Sequence, residues 1–322
     1  MGNDDDTVGS LGEFGLIDLV AARLPQGEEV VIGPGDDAAV VRTRDGRVVA
    51  TTDLLAEGRH FRRAWSSAYD VGRKAAAQSL ADVAAMGARP TALLVALALP
   101  ADLPADWPLD LADGLRDEGA RVGASVVGGD LVRDGHITIA VAALGDLGGR
   151  DPITRGGARP GDGVAVAGRL GWSAAGLALL EQGTANRTEA ADAVIGAHRR
   201  PQPPYDLAFR AADVGATAMI DVSDGLLQDL GHVARASGVA IDLDSAALPP
   251  DPELLEIAAT IGADPTSWVL TGGEDHAFAA CLPGLGTPAG WRRVGRVTHG
   301  AGVTVDGREF TSPGGFEHFR TL

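Results

Sequence analysis

The stretch VVIGPGDDAAVV, residues 30–41, decides how the first half of the chain is read. Two adjacent carboxylates, Asp36 and Asp37, lie between two apolar β-type runs beside a Gly-Pro-Gly turn. Three readings compete: a solvated turn, a dinucleotide-binding loop, and part of a metal site. The nucleotide loop has suitable glycines. Gly33, Gly35 and Ala38 fit G-x-G-x-x-A, and Asp53 follows at about twenty residues, the ribose-binding distance. Its two variable positions, however, are Asp36 and Asp37, which would face a pyrophosphate with negative charge. The next segment, AAVVRTRDGRVVATTD (residues 38–53), reads as a hairpin around Asp45-Gly46. A parallel crossover needs about a dozen residues or more, and a hairpin leaves no room for one. The dinucleotide reading is rejected on that ground. The chain also has no G-x-x-x-x-G-K-[ST] loop and no H-R-D or D-F-G set.

Working outward, the sequence alternates helix and strand patterns. GEFGLIDLVAARL (residues 12–24) reads as a short amphipathic helix, and SSAYDVGRKAAAQSLADVAAMGA (66–88) as a longer one with Gly87 as its C-cap. PTALLVALALP, ASVVGGD and HITIAVAALGDL read as strands, with a helix over PLDLADGLRDEGARVG. That is one α/β unit, assigned to residues 1–148. The Gly-rich segment GGRDPITRGGARPGDG marks a boundary, and residues 149–322 form a second α/β unit. There GVAVAGRL, ATAMIDVSDG, VAIDLD, WVLTGGED, AFAACL and WRRVGRV read as strands. WSAAGLALLEQG (with a Ser173 cap), PYDLAFRAADVG and LLQDLGHVARASG read as helices.

Composition narrows the function. The 322 residues are 45% hydrophobic, enough for a proper core, and the net charge is −17. That charge argues against a nucleic-acid backbone or an anionic membrane surface as main partner. The single cysteine, Cys281, excludes an intrachain disulfide and a cysteine-based zinc site. The acidic, polar start shows no signal peptide and no apolar run is long enough to span a membrane, so the cytoplasm is the expected location. Lys74 is the only lysine. Phosphates, if handled, must be met by arginine, helix N-termini or metal ions.

Carboxylates recur where apolar strands are expected to end: Asp36 and Asp37, Asp53, Asp130, Asp221 with Asp224, and Glu274 with Asp275. Asp82 lies inside an apolar helix pattern, where an unpaired charge is costly. Any one of these is ordinary turn or cap chemistry. Together they are an all-oxygen set without a His or Cys grouping, which selects a hard cation, Mg²⁺ first. Several Mg²⁺ ions with a polyphosphate fit both this array and the lysine shortage. His60, in TTDLLAEGRHF, is balanced between a surface loop histidine and a substrate contact. Arg155 lies in the boundary loop and can reach a phosphate; Phe316 in GGFEHF can stack on a ring. His232 and Cys281 read as structural.

GEFGLI, IGPGDDAAVV, TTDLLAEGRHF, SLADVAAMGARP, VVGGDLVR, TRGGARPGD, IDVSDGLLQDLGH, TGGEDHAF and GGFEHF occur in that order from about residue 12 to 319. In these motifs the chain resembles the thiamine-monophosphate kinases, relatives of aminoimidazole-ribonucleotide and selenophosphate synthetases. The resemblance implies a two-domain α/β (α+β) fold. Its N-terminal mixed sheet, with helices, pairs across a homodimer, and a C-terminal α/β domain follows. It implies ATP-dependent, Mg²⁺-assisted in-line phosphorylation of thiamine monophosphate to thiamine diphosphate, with no general base. Asp36 and Asp37, with Asp37 favoured, Thr51, Thr52, Asp53, Asp82, Asp130, Asp221 and Asp224 would hold Mg²⁺. Gly129, Asp130, Arg155 and Ser223 would contact ATP; His60, Glu274 or Asp275, and Phe316 would contact the thiamine phosphate. The chain departs from that pattern at Ala112 and His276, where the family usually has tyrosine.

Overall fold

The opening stretch is itself the hairpin. In the computed structural model, β1 (Val30–Ile32) pairs antiparallel with β2 (Val40–Val41), with Val30 opposite Val41 and Ile32 opposite Val40. The structure describes residues 7–34, 39–183, 188–284 and 286–310, without the side chains of 13 and 14. Asp36, Asp37 and Phe316 therefore lie outside the described residues. The expected hairpin over residues 38–53 is corrected. The Asp45-Gly46 turn exists, with Gly46 at φ 77° and the Asp45 carboxylate accepting the Arg47 N–H at 2.9 Å. The strand after it, β3 (Val49–Ala56), pairs instead with a strand some ninety residues on. An antiparallel β1–β2 pair leaves no βαβ crossover, so the rejection of a dinucleotide loop stands.

The chain divides into two compact units, residues 1–83 with 88–150, and 84–87 with 151–322. In the first, α1 (Val8–Ala21) carries a kink at Gly12. A four-stranded sheet has the order β3, β6 (Thr138–Asp146), β4 (Arg89–Leu99), β5 (Ser125–Arg133). β4 and β5 run parallel and the other neighbours antiparallel. One face carries α2 (Ala68–Ala85), the helix that brings Asp82 and the buried Lys74. α2 is tied to α3 (Asp106–Ala120) by Arg73 with the fully buried Glu118 at 2.6 Å, and by the Tyr69 hydroxyl donating to Asp117 at 3.0 Å. Ala112 is 2% exposed on α3, a core side chain.

The second unit is built on a six-stranded sheet of order β12, β9, β11, β7, β10, β8. These are β7 (Gly163–Ala167), β8 (Ala218–Val222), β9 (Ala240–Leu243), β10 (Ala277–Leu282), β11 (Arg292–Thr298) and β12 (Gly302–Val305). β7, β8 and β10 are buried at every position, which is why they read as unbroken apolar runs rather than alternating ones. Helices α4 (Trp172–Gln182), α5 (Glu189–Arg199), α6 (Tyr205–Ala211), α7 (Leu226–Ser237), α8 (Pro252–Ile261) and α9 (Pro265–Thr271) complete it. Val166, Ile220, Leu230, Ile257 and Val269 share its core.

Two further expectations fail here, one for a local reason and one for a distant one. The expected strand WVLTGGED is helical through Thr271, because Asp264 caps the Thr266 N–H at 3.0 Å and Pro265 starts the helix. Ser173 is not the cap of α4. Gly171 occupies that position at φ 83°, and the cap is supplied from a hundred residues away, as described below. Among the described residues no helix is long and apolar enough to cross a membrane.

Candidate functional site

In the N-terminal unit the candidate ligands divide between the two faces of one sheet. Side chains alternate along a strand, and directly opposed residues share a face. Thr51 and Asp53 face α2. The Thr51 hydroxyl donates to Asp82 Oδ2 at 2.7 Å, and Asp53 accepts from Gln78 Nε2 at 2.9 Å and Ser79 Oγ at 2.7 Å. Thr52 and Asp130 are exposed on the opposite face, through the register that aligns Thr52, Ala142, Leu94 and Gly128. Asp53 and Asp130 lie within strands, not at their ends, which corrects the strand-end reading; in a mixed sheet the strands share no carboxyl edge. Gly129 is glycine for a packing reason: a Cβ there would meet the Val95 carbonyl oxygen at 1.9 Å.

His60 sits on a turn directly after β3. Its Nδ1 accepts the Ala56 N–H at 3.0 Å, so the neutral ring carries its proton on Nε2. The only lysine of the chain serves this turn. Lys74, 3% exposed, donates from Nζ to the His60 carbonyl at 3.1 Å.

In the C-terminal unit, two loops are locked against each other. One is Asp221–Gly225, the other residues 271–276. The Glu274 N–H donates to the Ser223 carbonyl at 2.8 Å and the His276 N–H to the Val222 carbonyl at 3.0 Å. Both contacts need glycine beside them: a Cβ on Gly225 would meet the Thr271 oxygen at 2.6 Å, and one on Gly273 the Ser223 oxygen at 2.5 Å. Glu274 and His276 hold φ values of 62° and 51°, strained for residues with a Cβ. The pair of loops thus carries Asp221, Ser223, Asp224 and Glu274 on one rigid support.

The electrostatics of this support are unusual. Asp221 is 2% exposed and its Oδ2 lies 3.1 Å from His276 Nδ1, so His276, itself 2% exposed, is a buried partner of a candidate ligand. Asp229, in the first turn of α7, accepts the N–H groups of Asp224 and Gly225 at 3.1 Å each. Burial first, then the charges of Asp221 and Asp224, push it up to about 7. Asp224, Asp229 and His232 bring ligand atoms within 4.8 Å of one another. Burial first, then the Arg155 charge, holds His232 below its ordinary value, which puts exposed Arg155 in the same neighbourhood. Asp275 has a different job. It accepts the N–H groups of Gly171 and, at 2.8 Å, Ser173, which makes it the cap of α4. Its burial outweighs those bonds and raises it to about 7. Of the two acidic residues at 274 and 275, Glu274 is the one with an accessible carboxylate, its side chain 32% exposed.

Sequence reasoning missed Asp229, Gln78, Ser79 and His198. Asp229 had a signal, an acid four residues into a helix that opens on Asp-Gly; the others had none.

Both sets offer hard oxygen donors, and the buried Asp229 has the like charges of Asp221 and Asp224 beside it. A divalent cation fits that chemistry. The family models for the AIR synthase related protein N-terminal and C-terminal domains match residues 35–147 and 159–308. The chain thus carries the domain pair of the AIR synthase related proteins. A curated thiamine-monophosphate kinase from Mycobacterium tuberculosis is 50% identical over 321 residues, covering 99% of this chain and 95% of the relative. The crystal structure of the kinase from Stenotrophomonas maltophilia superposes with a TM-score of 0.81 at 34% identity, covering 92% and 97% of the two chains. A solved complex of AaThiL with AMPPCP and TMP gives 0.79 at 32% identity, over 96% and 97%. The chain belongs to the thiamine-monophosphate kinase family.

Proposed function

We propose that this protein transfers the terminal phosphoryl group of ATP to thiamine monophosphate, giving thiamine diphosphate. The observation that carries the reading is half-identity along nearly the whole chain to a thiamine-monophosphate kinase. The attacking group is a phosphate oxygen that is already anionic, so no general base is needed. Catalysis is then alignment and charge neutralisation. Several Mg²⁺ ions are proposed, with Thr51, Asp53 and Asp82 as ligands on the α2 side of the first sheet, Thr52 and Asp130 on its other face, Asp221 and Asp224 as ligands in the second unit, and the Asp36–Asp37 pair kept as ligands. Mg²⁺, when bound, neutralises phosphate charge in a chain whose acidic side chains outnumber its basic ones, 44 to 27. Arg155, Ser223, Gly129 and Asp130 are assigned to ATP. His60 offers its Nε2–H, and Glu274 its carboxylate, to the thiamine phosphate; Phe316 is kept as a ring contact. Asp275 passes to a structural role.

The N-terminal unit is proposed as the metal, ATP and dimerisation domain, and residues 149–322 as the second domain. Leu54, Leu94 and Val132, 51%, 39% and 54% exposed, lie on the helix-free face of the four-stranded sheet, which supports a homodimer through that face. Sedimentation of wild-type and Leu94→Asp protein tests it; a monomeric wild type refutes it. A cytoplasmic location is retained as part of this reading.

The decisive experiment is an assay of purified protein for thiamine diphosphate from ATP and thiamine monophosphate, with Mg²⁺ and with chelator. Product with Mg²⁺ and none with chelator is expected. No product with Mg²⁺, or full activity in chelator, overturns it. An AIR-type amide substrate is the second reading, favoured by the shared domain pair; running the same assay over candidate amides separates the two.

A further inference from the structure

Behind Glu274 lies a buried pair that the proposed chemistry does not use. Ser173 is 1% exposed and His198 4%, and Ser173 Oγ is 3.0 Å from His198 Nδ1. The same Nδ1 is 3.5 Å from Glu274 Oε2. Ser173 is the second residue of α4 and His198 the penultimate residue of α5. Gly176 allows the two helices to meet, since a Cβ there would strike the Val194 carbonyl at 2.3 Å and His198 Cβ at 2.9 Å. Ser, His and Glu together resemble a hydrolase triad, but the wiring is wrong for one. A triad uses one ring nitrogen for the nucleophile and the other for the acid. Here both oxygens address Nδ1, and the serine is sealed from solvent.

The wiring suits another task. Asp275 reaches Ser173 through its backbone N–H at 2.8 Å, and Glu274 reaches it through His198. Two neighbouring acids on a strained loop are therefore tied to one residue of α4, by separate routes. The Glu274 backbone is fixed at φ 62° by the locked loops, but its long side chain keeps three rotatable bonds. His198 supplies the contact that narrows them. We propose that His198, anchored by Ser173, is a positioning residue that holds the Glu274 carboxylate ready for a cationic or amino-bearing ring of the thiamine phosphate. The proposal rests on Glu274 being a substrate contact.

The test is a set of full-length variants measured for the Michaelis constants of both substrates and for thermal unfolding. An asparagine amide nitrogen can take the place of histidine Nδ1; a glutamine one takes that of Nε2. His198→Ala and His198→Gln are expected to raise KM for thiamine monophosphate about threefold, the loss of one polar contact to a charged group. KM for ATP stays put, and His198→Asn restores most of the loss. Equal rescue by Asn and Gln would reduce His198 to packing and overturn the proposal, as would equal movement of both Michaelis constants. Should His198→Ala fail to fold, Ser173→Ala keeps the backbone bond to Asp275 and removes only the anchor; a smaller rise in the same KM is expected, and no rise overturns the idea. Glu274→Gln separates the two levels. If it leaves KM unchanged, the reading of Glu274 falls and the proposal with it; if it raises KM while His198→Ala does not, only the proposal falls.

Discussion

The two units hold their carboxylates by different means. In the N-terminal unit Asp53 and Asp82 rest on neutral side chains of α2 and β3: an amide, a serine hydroxyl and a threonine hydroxyl. In the C-terminal unit the acids rest on backbone N–H groups and on histidines, within two loops that only glycine lets close. Neutral side-chain donors orient a carboxylate and leave its charge for a cation. Backbone donors in tight loops set position more firmly, at the cost of strain at Glu274 and His276. The first arrangement suits ligands that must keep full charge; the second suits a fixed frame.

The comparison breaks most visibly at Asp53. Asp53→Asn keeps an acceptor for Ser79 but removes the charge. It should lower kcat on the order of a thousandfold, the several kcal/mol that metal-borne charge stabilisation supplies, while circular dichroism stays unchanged. Near-normal turnover would mean that the α2-facing set is structural. Next in size is the frame. Gly225→Ala puts a Cβ 2.6 Å from the Thr271 oxygen at φ 122°, and should cost about 1–3 kcal/mol in denaturant unfolding. Gly135→Ala, with nothing within 4 Å of the new atom, is the control. If the two variants unfold alike, the loops are not locked.

The same contrast explains what could be read from the sequence. The apolar runs of β7, β8 and β10 and the helix pattern of α2 were legible because burial repeats along them. Pairing was not. The Asp45-Gly46 turn is genuine, yet β3 is claimed over eight residue pairs by β6, from Val49 opposite Gly145 to Ala56 opposite Thr138. No local pattern reports a partner so distant. Asp53 could be picked out from its motif, but Gln78 and Ser79 reveal their purpose only once α2 lies on β3. Likewise Ser173 looked like a cap because the true cap, Asp275, comes from 102 residues away. The helix α9 was missed although Asp264-Pro265 announces it; the apolar run that follows outweighed the start signal.

A pH-dependent effect separates frame from ligand within the C-terminal unit. Asp275 is raised to about 7 by burial, against an ordinary value of 3.8. A carboxyl whose folded value lies above its unfolded one stabilises the fold fully below about 4, and that contribution is lost as pH rises toward 7. The ceiling is on the order of 4 kcal/mol, about 1.4 per unit, and relaxation of the cap will reduce it. Asp275→Asn carries no titratable group there. Its unfolding free energy should therefore fall less than wild type between about pH 4 and 7, and run parallel above. An unchanged slope would return Asp275 to the solvent-facing substrate role.

The smallest of these expected changes is at His60, and it decides whether the turn after β3 belongs to the frame or to the ligand set. His60 Nδ1 is engaged by the Ala56 N–H, and Lys74 holds its carbonyl, so the ring is positioned from two sides. Asparagine at 60 can keep the Nδ1-like acceptor for Ala56 but cannot reach where Nε2 lies. If His60 donates from Nε2 to the thiamine phosphate, His60→Ala and His60→Asn should both raise that substrate's KM by about five- to tenfold, one hydrogen bond's worth, and leave the ATP constant alone. If the ring only braces the turn, Asn should restore what Ala loses. Movement of the ATP constant instead would assign this turn to the nucleotide.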